Sequence, residues 1–126
     1  MDDAHGCERL LTPDFWPHGS SLVLGDAKGV LLREILASRL QDGEKRVVVE
    51  IGAYCGYSAV LLASMLRADD VIVSIEIDPS CVEWTRAITH LAQITNHRIL
   101  HGNVESSLPD LRELLRRLNK QSNTDV

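Results

Sequence analysis

The sequence has no run near the roughly 18 apolar residues of a membrane span, no basic cluster, and no cysteines or histidines at metal-ligand spacing. Each absence removes a class of function. Without a long apolar run, no bilayer-crossing helix is expected. The start, Met1 to Glu8, is acidic and lacks the apolar core of a signal peptide. A net charge of −5 makes nucleic acid and anionic membrane poor partners. The one gathering of arginines, Arg112, Arg116 and Arg117, flanks Glu113 on an amphipathic segment and reads as a solvated helix face. Three cysteines, Cys7, Cys55 and Cys81, leave an odd count, which suits a reduced, cytoplasmic setting. None has a histidine beside it in sequence, which argues against cysteine catalysis. His5, His18, His90, His97 and His101 read as structural or solvated residues, with His101 the one placed at a strand end.

What is present is an ordinary globular composition, 44% hydrophobic and 25% charged over 126 residues, enough for one small domain. Residues 1–25 form an irregular or helical N-terminal segment broken by Pro13, Pro17 and Gly19. Asp26 can cap a helix that ends near Asp42-Gly43, with Val30, Leu31, Ile35 and Leu36 as its apolar stripe, broadened by Leu32 and Leu40. Val47–Ile51 and Val71–Glu76 are β-branched runs without alternation, so both read as strands buried on two faces. Between them a turn from Gly52 to Gly56 leads into a helix from about Tyr57 to Leu66. Pro79 suits the first turn of a third helix bearing Val82, Trp84, Ile88, Leu91 and Ile94. A short strand near Arg98–Leu100 precedes Gly102, and a fourth helix spans about Ser107 to Lys120. The polar tail, 121–126, is expected to fray. Helices alternating with buried strands predict an α/β fold with a parallel sheet, right-handed crossovers and no second domain. Residues 26–120 form the ligand-binding unit.

Ligands of open α/β sheets sit at the carboxyl ends of strands. The first such end reads Glu50-Ile51-Gly52-Ala53-Tyr54-Cys55-Gly56-Tyr57-Ser58. Gly52 permits close approach of the backbone, and the helix start offers N–H groups to an anionic end. The dinucleotide pattern G-x-G-x-x-G is broken, because Tyr54 and Tyr57 stand where its second and third glycines belong. That leaves less room for a pyrophosphate and disfavours a dehydrogenase. A ligand with a small carboxylate and ammonium, such as the methionine part of S-adenosylmethionine, fits better, and Glu50 can attract the ammonium directly or through water. Glu76 ends the second strand at the spacing of an acidic group that takes ribose hydroxyls. The third strand ends at His101-Gly102-Asn103, where a base can lie against the turn. The glycine turn alone is weak evidence. An apolar strand holding Glu50 is stronger, because an unpaired buried carboxylate is costly. For Tyr54 and Tyr57 the pattern leaves packing and ligand contact equally open.

Gly25-Asp26-Ala27-Lys28-Gly29, followed by Glu50 to Ala59, closely resembles the catechol O-methyltransferase family, and the resemblance runs from about Leu22 to Leu111 through Glu76-Ile77-Asp78-Pro79. It implies a Rossmann-like S-adenosylmethionine methyltransferase fold and methyl transfer to a catechol hydroxyl, with magnesium holding both catechol oxygens. It also implies that Leu24, Glu50, Gly52, Tyr54, Tyr57 and Ser58 surround the methionine portion, that Glu76 binds the ribose, and that Ile77 packs on the adenine. Gly102 matches the glycine of the adenine turn.

Two departures qualify this. The family's Gly-Ala-Ser-Gln is Gly102-Asn103-Val104-Glu105 here. Val104 cannot supply the hydroxyl contact, whereas Glu105 can accept from the adenine amino group, so weaker cofactor affinity is expected. The family's Asp-His-Trp-Lys segment and later Asp-Asn pair, which supply metal ligands and the general base, have no match, because Val126 falls about where the fourth strand would begin. The expectation is a chain truncated after the third strand, without a metal site or general base, and inactive towards catechols alone. An alternative reading is a non-catalytic cofactor-binding or interaction module, pairing with a partner chain through the open edge of the first strand.

Overall fold

The structure is a computed structural model that describes residues 26–39 and 45–124. Seven elements follow in the order α1 (Asp26–Arg39), β1 (Val47–Ile51), α2 (Tyr57–Met65), β2 (Val71–Glu76), α3 (Pro79–Leu91), β3 (His97–His101) and α4 (Val104–Thr124). The strands form one parallel sheet in the order β1-β2-β3. This is the expected Rossmann-like α/β arrangement. Leu24, the Asp26 side chain, Leu40 and the expected Asp42-Gly43 helix end lie outside the described residues.

The central strand is the core. Ile72, Val73 and Ser74 are fully buried, with Ile75 and Glu76 nearly so. Opposite β2, Val49 pairs with Val73 and Glu50 with Ser74; on the other side Ile99 pairs with Ser74. Glu50, Ser74 and Ile99 therefore share one face, since side chains alternate. α2 and α3 cover that face, through Ser58 on Glu50 and through α3 residues lining a cleft with His97 and Ile99. α4 lies on the opposite face, where Leu118 lines a cleft with Val47, Val71 and Arg98.

β1 departs from the expected two-face burial. Val47, Val49 and Ile51 are 38%, 41% and 70% exposed. Its only hydrogen-bonded neighbour among the described residues is β2, and α4 leaves this side of it open. α1 departs too. Val30, Leu31 and Ile35 face solvent, while Leu32 and Leu36 turn inward as expected, together with Gly29. Gly29 is the contact point, since a Cβ there would lie 3.3 Å from Leu61.

α3 starts as expected. Pro79 occupies the first turn, and Asp78 caps it by accepting the N–H groups of Ser80 and Cys81. Its buried row is Cys81, Val82, Thr85 and Thr89. Leu91 is 80% exposed, because it stands two residues past Thr89, on the side away from the buried row, and the helix ends there, before Ile94. The Thr89 hydroxyl is satisfied locally, donating to the Thr85 carbonyl at 2.8 Å, whereas the Thr85 hydroxyl donates to the Tyr54 carbonyl at 3.4 Å. α4 begins a turn earlier than Ser107, because the Asn103 side chain accepts the Ser106 N–H at 2.7 Å, and it remains helical to Thr124. Glu113 pairs with Arg116 and Arg117 on its solvated face, as read from the sequence.

At the amino ends of the strands, fully buried Asp70 accepts the N–H groups of Arg46 and Arg67, each at 2.8 Å. Its own carbonyl accepts from Asn96 at 2.8 Å. One residue, through its carboxylate and its carbonyl, thus ties together the segments entering all three strands.

Candidate functional site

The carboxyl ends of three adjacent parallel strands bring together the described residues read from the sequence as ligand-binding. Gly52 continues the ladder beyond β1, donating to the Ile75 carbonyl at 2.8 Å. The chain then turns through positive φ at Gly52 (90°), Tyr54 (52°) and Gly56 (88°). The two glycines serve different ends. A Cβ on Gly52 would meet nothing within 4 Å, whereas one on Gly56 would lie 3.2 Å from the Thr85 Cα. Gly52 therefore borders open space, and Gly56 lets α2 start against α3. No side chain caps α2 at Gly56, and a helix start facing the strand ends is a place where an anionic group can sit.

Glu76 closes β2 beside this turn and is 8% exposed. One carboxylate oxygen accepts the Tyr54 N–H at 2.8 Å and the other the Asp78 N–H at 3.0 Å. A carboxylate has about four acceptor positions, so both oxygens keep capacity for a further donor. The same residue's carbonyl accepts the Gly102 N–H at 2.8 Å, which draws the β3 turn alongside. Gly102 has φ 147°, and a Cβ there would sit 2.5 Å from the Ser106 hydroxyl. The turn admits only glycine without rearrangement. Ile77 is 65% exposed just past Glu76. Its carbonyl lies 3.1 Å from Nε2 of His101. Val104 and Glu105 stand exposed at the start of α4.

Glu50 is paired more fully than the sequence suggested. Ser58 donates to one of its oxygens and Ser74 to the other, each at 2.5 Å. The Ser74 hydroxyl also lies 2.7 Å from Nε2 of His97. Ser74 and His97 were not legible as site residues. The available signal was polarity alone: a serine within the apolar run of β2, and a histidine at the start of β3.

Tyr54 and Tyr57 are half-buried and pack, with Trp84, against Cys55 and Cys81. They have a packing role whatever else they touch. Burial pushes the Cys55 thiol up from its ordinary value, against smaller opposing effects of backbone N–H groups. That environment does not favour a thiolate nucleophile. Among the described residues no three His, Cys, Asp or Glu side chains gather as a metal site, and no helix is long and apolar enough to cross a membrane.

Comparison with known proteins gives a consistent picture. A family model described as "Methyltransferase domain" matches residues 49–125. Mouse catechol O-methyltransferase is 32% identical over 91 residues, covering 71% of this chain and 33% of the relative. Human transmembrane O-methyltransferase is 29% identical over 107 residues, covering 82% and 35%. Among solved structures, the O-methyltransferase TomG of Streptomyces achromogenes, in complex with SAM, superposes with a TM-score of 0.63 at 27% identity, over 86% of this chain and 45% of that one. A Bacillus cereus O-methyltransferase in complex with SAH shares the fold, with a TM-score of 0.65 at 19% identity over 90% and 49%. The chain thus spans about a third of the length of these curated relatives and about half that of the solved structures.

Proposed function

The chain belongs to the methyltransferase-domain family, and from that premise we propose that the ends of β1, β2 and β3 form the S-adenosylmethionine site of an O-methyltransferase resembling catechol O-methyltransferase. The observation that carries the reading is Glu76: a nearly buried carboxylate at the end of the central strand, anchored by two backbone N–H groups and still able to accept. Its remaining acceptor positions suit the two ribose hydroxyls. Gly52 lets the backbone approach the ligand, and the start of α2 receives the ligand's carboxylate. Glu50 receives the ammonium. Leu24, Tyr54, Tyr57 and Ser58 complete the methionine end, with Ser58 acting through its bond to Glu50. Ile77 offers an apolar surface to the adenine; Gly102 and Val104 border it, and Glu105 accepts from its amino group. When bound, the cofactor supplies a methyl group activated on a sulfonium.

The acceptor, a catechol held by magnesium, is proposed by kinship with the relatives rather than from any residue named above. No residue of this chain is assigned to metal binding or to a general base, and methyl transfer to catechol by the 126-residue chain alone is expected to be absent. Cys55 and Cys81, buried as thiols, suit a reducing, cytoplasmic setting. Calorimetric titration of the chain with S-adenosylmethionine tests the reading. Saturable binding that Glu76→Ala abolishes supports it, and binding unaffected by Glu76→Ala would remove its basis.

A further inference from the structure

A serine hydroxyl has one proton to donate. Fully buried Ser74 contacts both a carboxylate oxygen of Glu50 at 2.5 Å and Nε2 of His97 at 2.7 Å. The carboxylate can only accept, so the Ser74 proton points to Glu50. The serine oxygen must then accept from His97, which therefore carries its hydrogen on Nε2. The result is a one-way chain, His97 to Ser74 to Glu50, crossing all three strands on one face. Ser58, in the first turn of α2, holds the second Glu50 oxygen.

The register makes this chain specific. Ser74 stands directly opposite Glu50, and His97, paired with Ile72, reaches it diagonally. Burial, with a smaller contribution from Arg98, holds the His97 imidazole down to about 4, so it is neutral near pH 7. Arg86 and His90 of α3 line the same cleft as His97 and Arg98, and Glu50 lies beyond Ser74. A half-buried imidazole is costly unless it is hydrogen-bonded, and its bond to Ser74 links it to Glu50.

We propose that Ser74 and His97 are positioning residues that orient Glu50 in advance for the ligand's ammonium group. Both carboxylate oxygens are fixed by donors from separate elements, so Glu50 meets the cation without being reordered, and preorganisation of this kind raises affinity. The inference rests on the reading of Glu50 as the ammonium's partner.

The test compares two ligands by calorimetry on the full chain. S-adenosylhomocysteine carries the ammonium; 5′-methylthioadenosine retains the nucleoside and lacks the amino-acid end. Ser74→Ala and His97→Val are expected to weaken S-adenosylhomocysteine roughly tenfold, as loss of support for a charged hydrogen bond would. 5′-methylthioadenosine should stay within about twofold, and His97→Gln, which keeps a donor, should restore S-adenosylhomocysteine to within about threefold. Equal weakening of both ligands would mean a merely structural role and overturn the proposal. If Glu50→Gln weakens S-adenosylhomocysteine while Ser74→Ala and His97→Val do not, the relay is wrong and the Glu50 reading survives. If Glu50→Gln has no effect, both fall. Should the variants not fold, nitrogen-15 NMR of the unaltered chain decides: an Nε2–H tautomer at His97 is expected, and an Nδ1–H tautomer overturns the relay.

Discussion

β1 and β2 look alike as sequence, Val-Val-Val-Glu-Ile and Val-Ile-Val-Ser-Ile-Glu, yet they live in different surroundings. β2 is enclosed on both faces, whereas every second residue of β1 is exposed. Strand composition selects the extended conformation, but burial depends on what lies beside and above the strand. Their glutamates differ in parallel. Glu76 is held by backbone N–H groups of the turns around it. Glu50 is held by side-chain hydroxyls from α2 and β2. One anchor is built into the turns themselves, and the other depends on individual side chains that substitution can remove.

The largest expected effect lies at the backbone-held carboxylate. Glu76→Ala should weaken S-adenosylhomocysteine by up to about 100-fold, since hydrogen bonds to a charged group are worth about 1.5–3 kcal/mol. Isothermal titration measures it, and an effect smaller than that of Ser74→Ala would reverse the ranking of the two anchors. Next comes packing. Val73→Ala, at a fully buried position, should cost about 2–3 kcal/mol of stability. Val49→Ala, its exposed partner across the ladder, should cost less than about 1 kcal/mol. Equal costs in urea melts would mean that β1 is covered as fully as β2.

The two glycines after β1 sharpen the comparison further. Gly56→Ala adds a methyl 3.2 Å from the Thr85 backbone and should lower stability by about 1–2 kcal/mol. Gly52→Ala meets open space, so it should cost about 1 kcal/mol from its positive φ alone and should chiefly impair ligand binding. Thermal melts and titrations on the pair separate the two roles.

A pH dependence adds a further contrast. His97 is near 4 when folded, against an ordinary 6.5. Between those values the unfolded chain binds a proton that the folded chain does not. Stability from this residue is therefore complete above about pH 6.5 and declines as pH falls towards 4. Melts across that window should show a shallower decline for His97→Gln, and an unchanged slope would place the imidazole in water.

Much of this was legible in the residues. The β-branched runs located β1 and β2, Pro79 located the start of α3, and the spacing of Glu76 from Gly52 placed a carboxylate beside the first turn. What escaped depended on register and on rotation about an element's axis. Ser74 and His97 acquire meaning only when Glu50, far away in sequence, is set opposite Ser74. Asp70 reads as a loop residue until three segments converge on it. The inward row of α1 runs through Gly29, a position with no side chain to signal it. Ser58, expected around the methionine portion, donates its hydroxyl to Glu50, a bond that the sequence alone does not show.

The central claim is that ligand binds where the three strands end, and amide shift mapping by NMR tests it most directly. Titrating the chain with S-adenosylhomocysteine should move the amides of Gly52, Tyr54, Ile77 and Gly102. Shifts confined to Lys45, Val71, Asn96 and Leu118, around the cleft of about 380 Å³ at the opposite end of the sheet, would contradict the account.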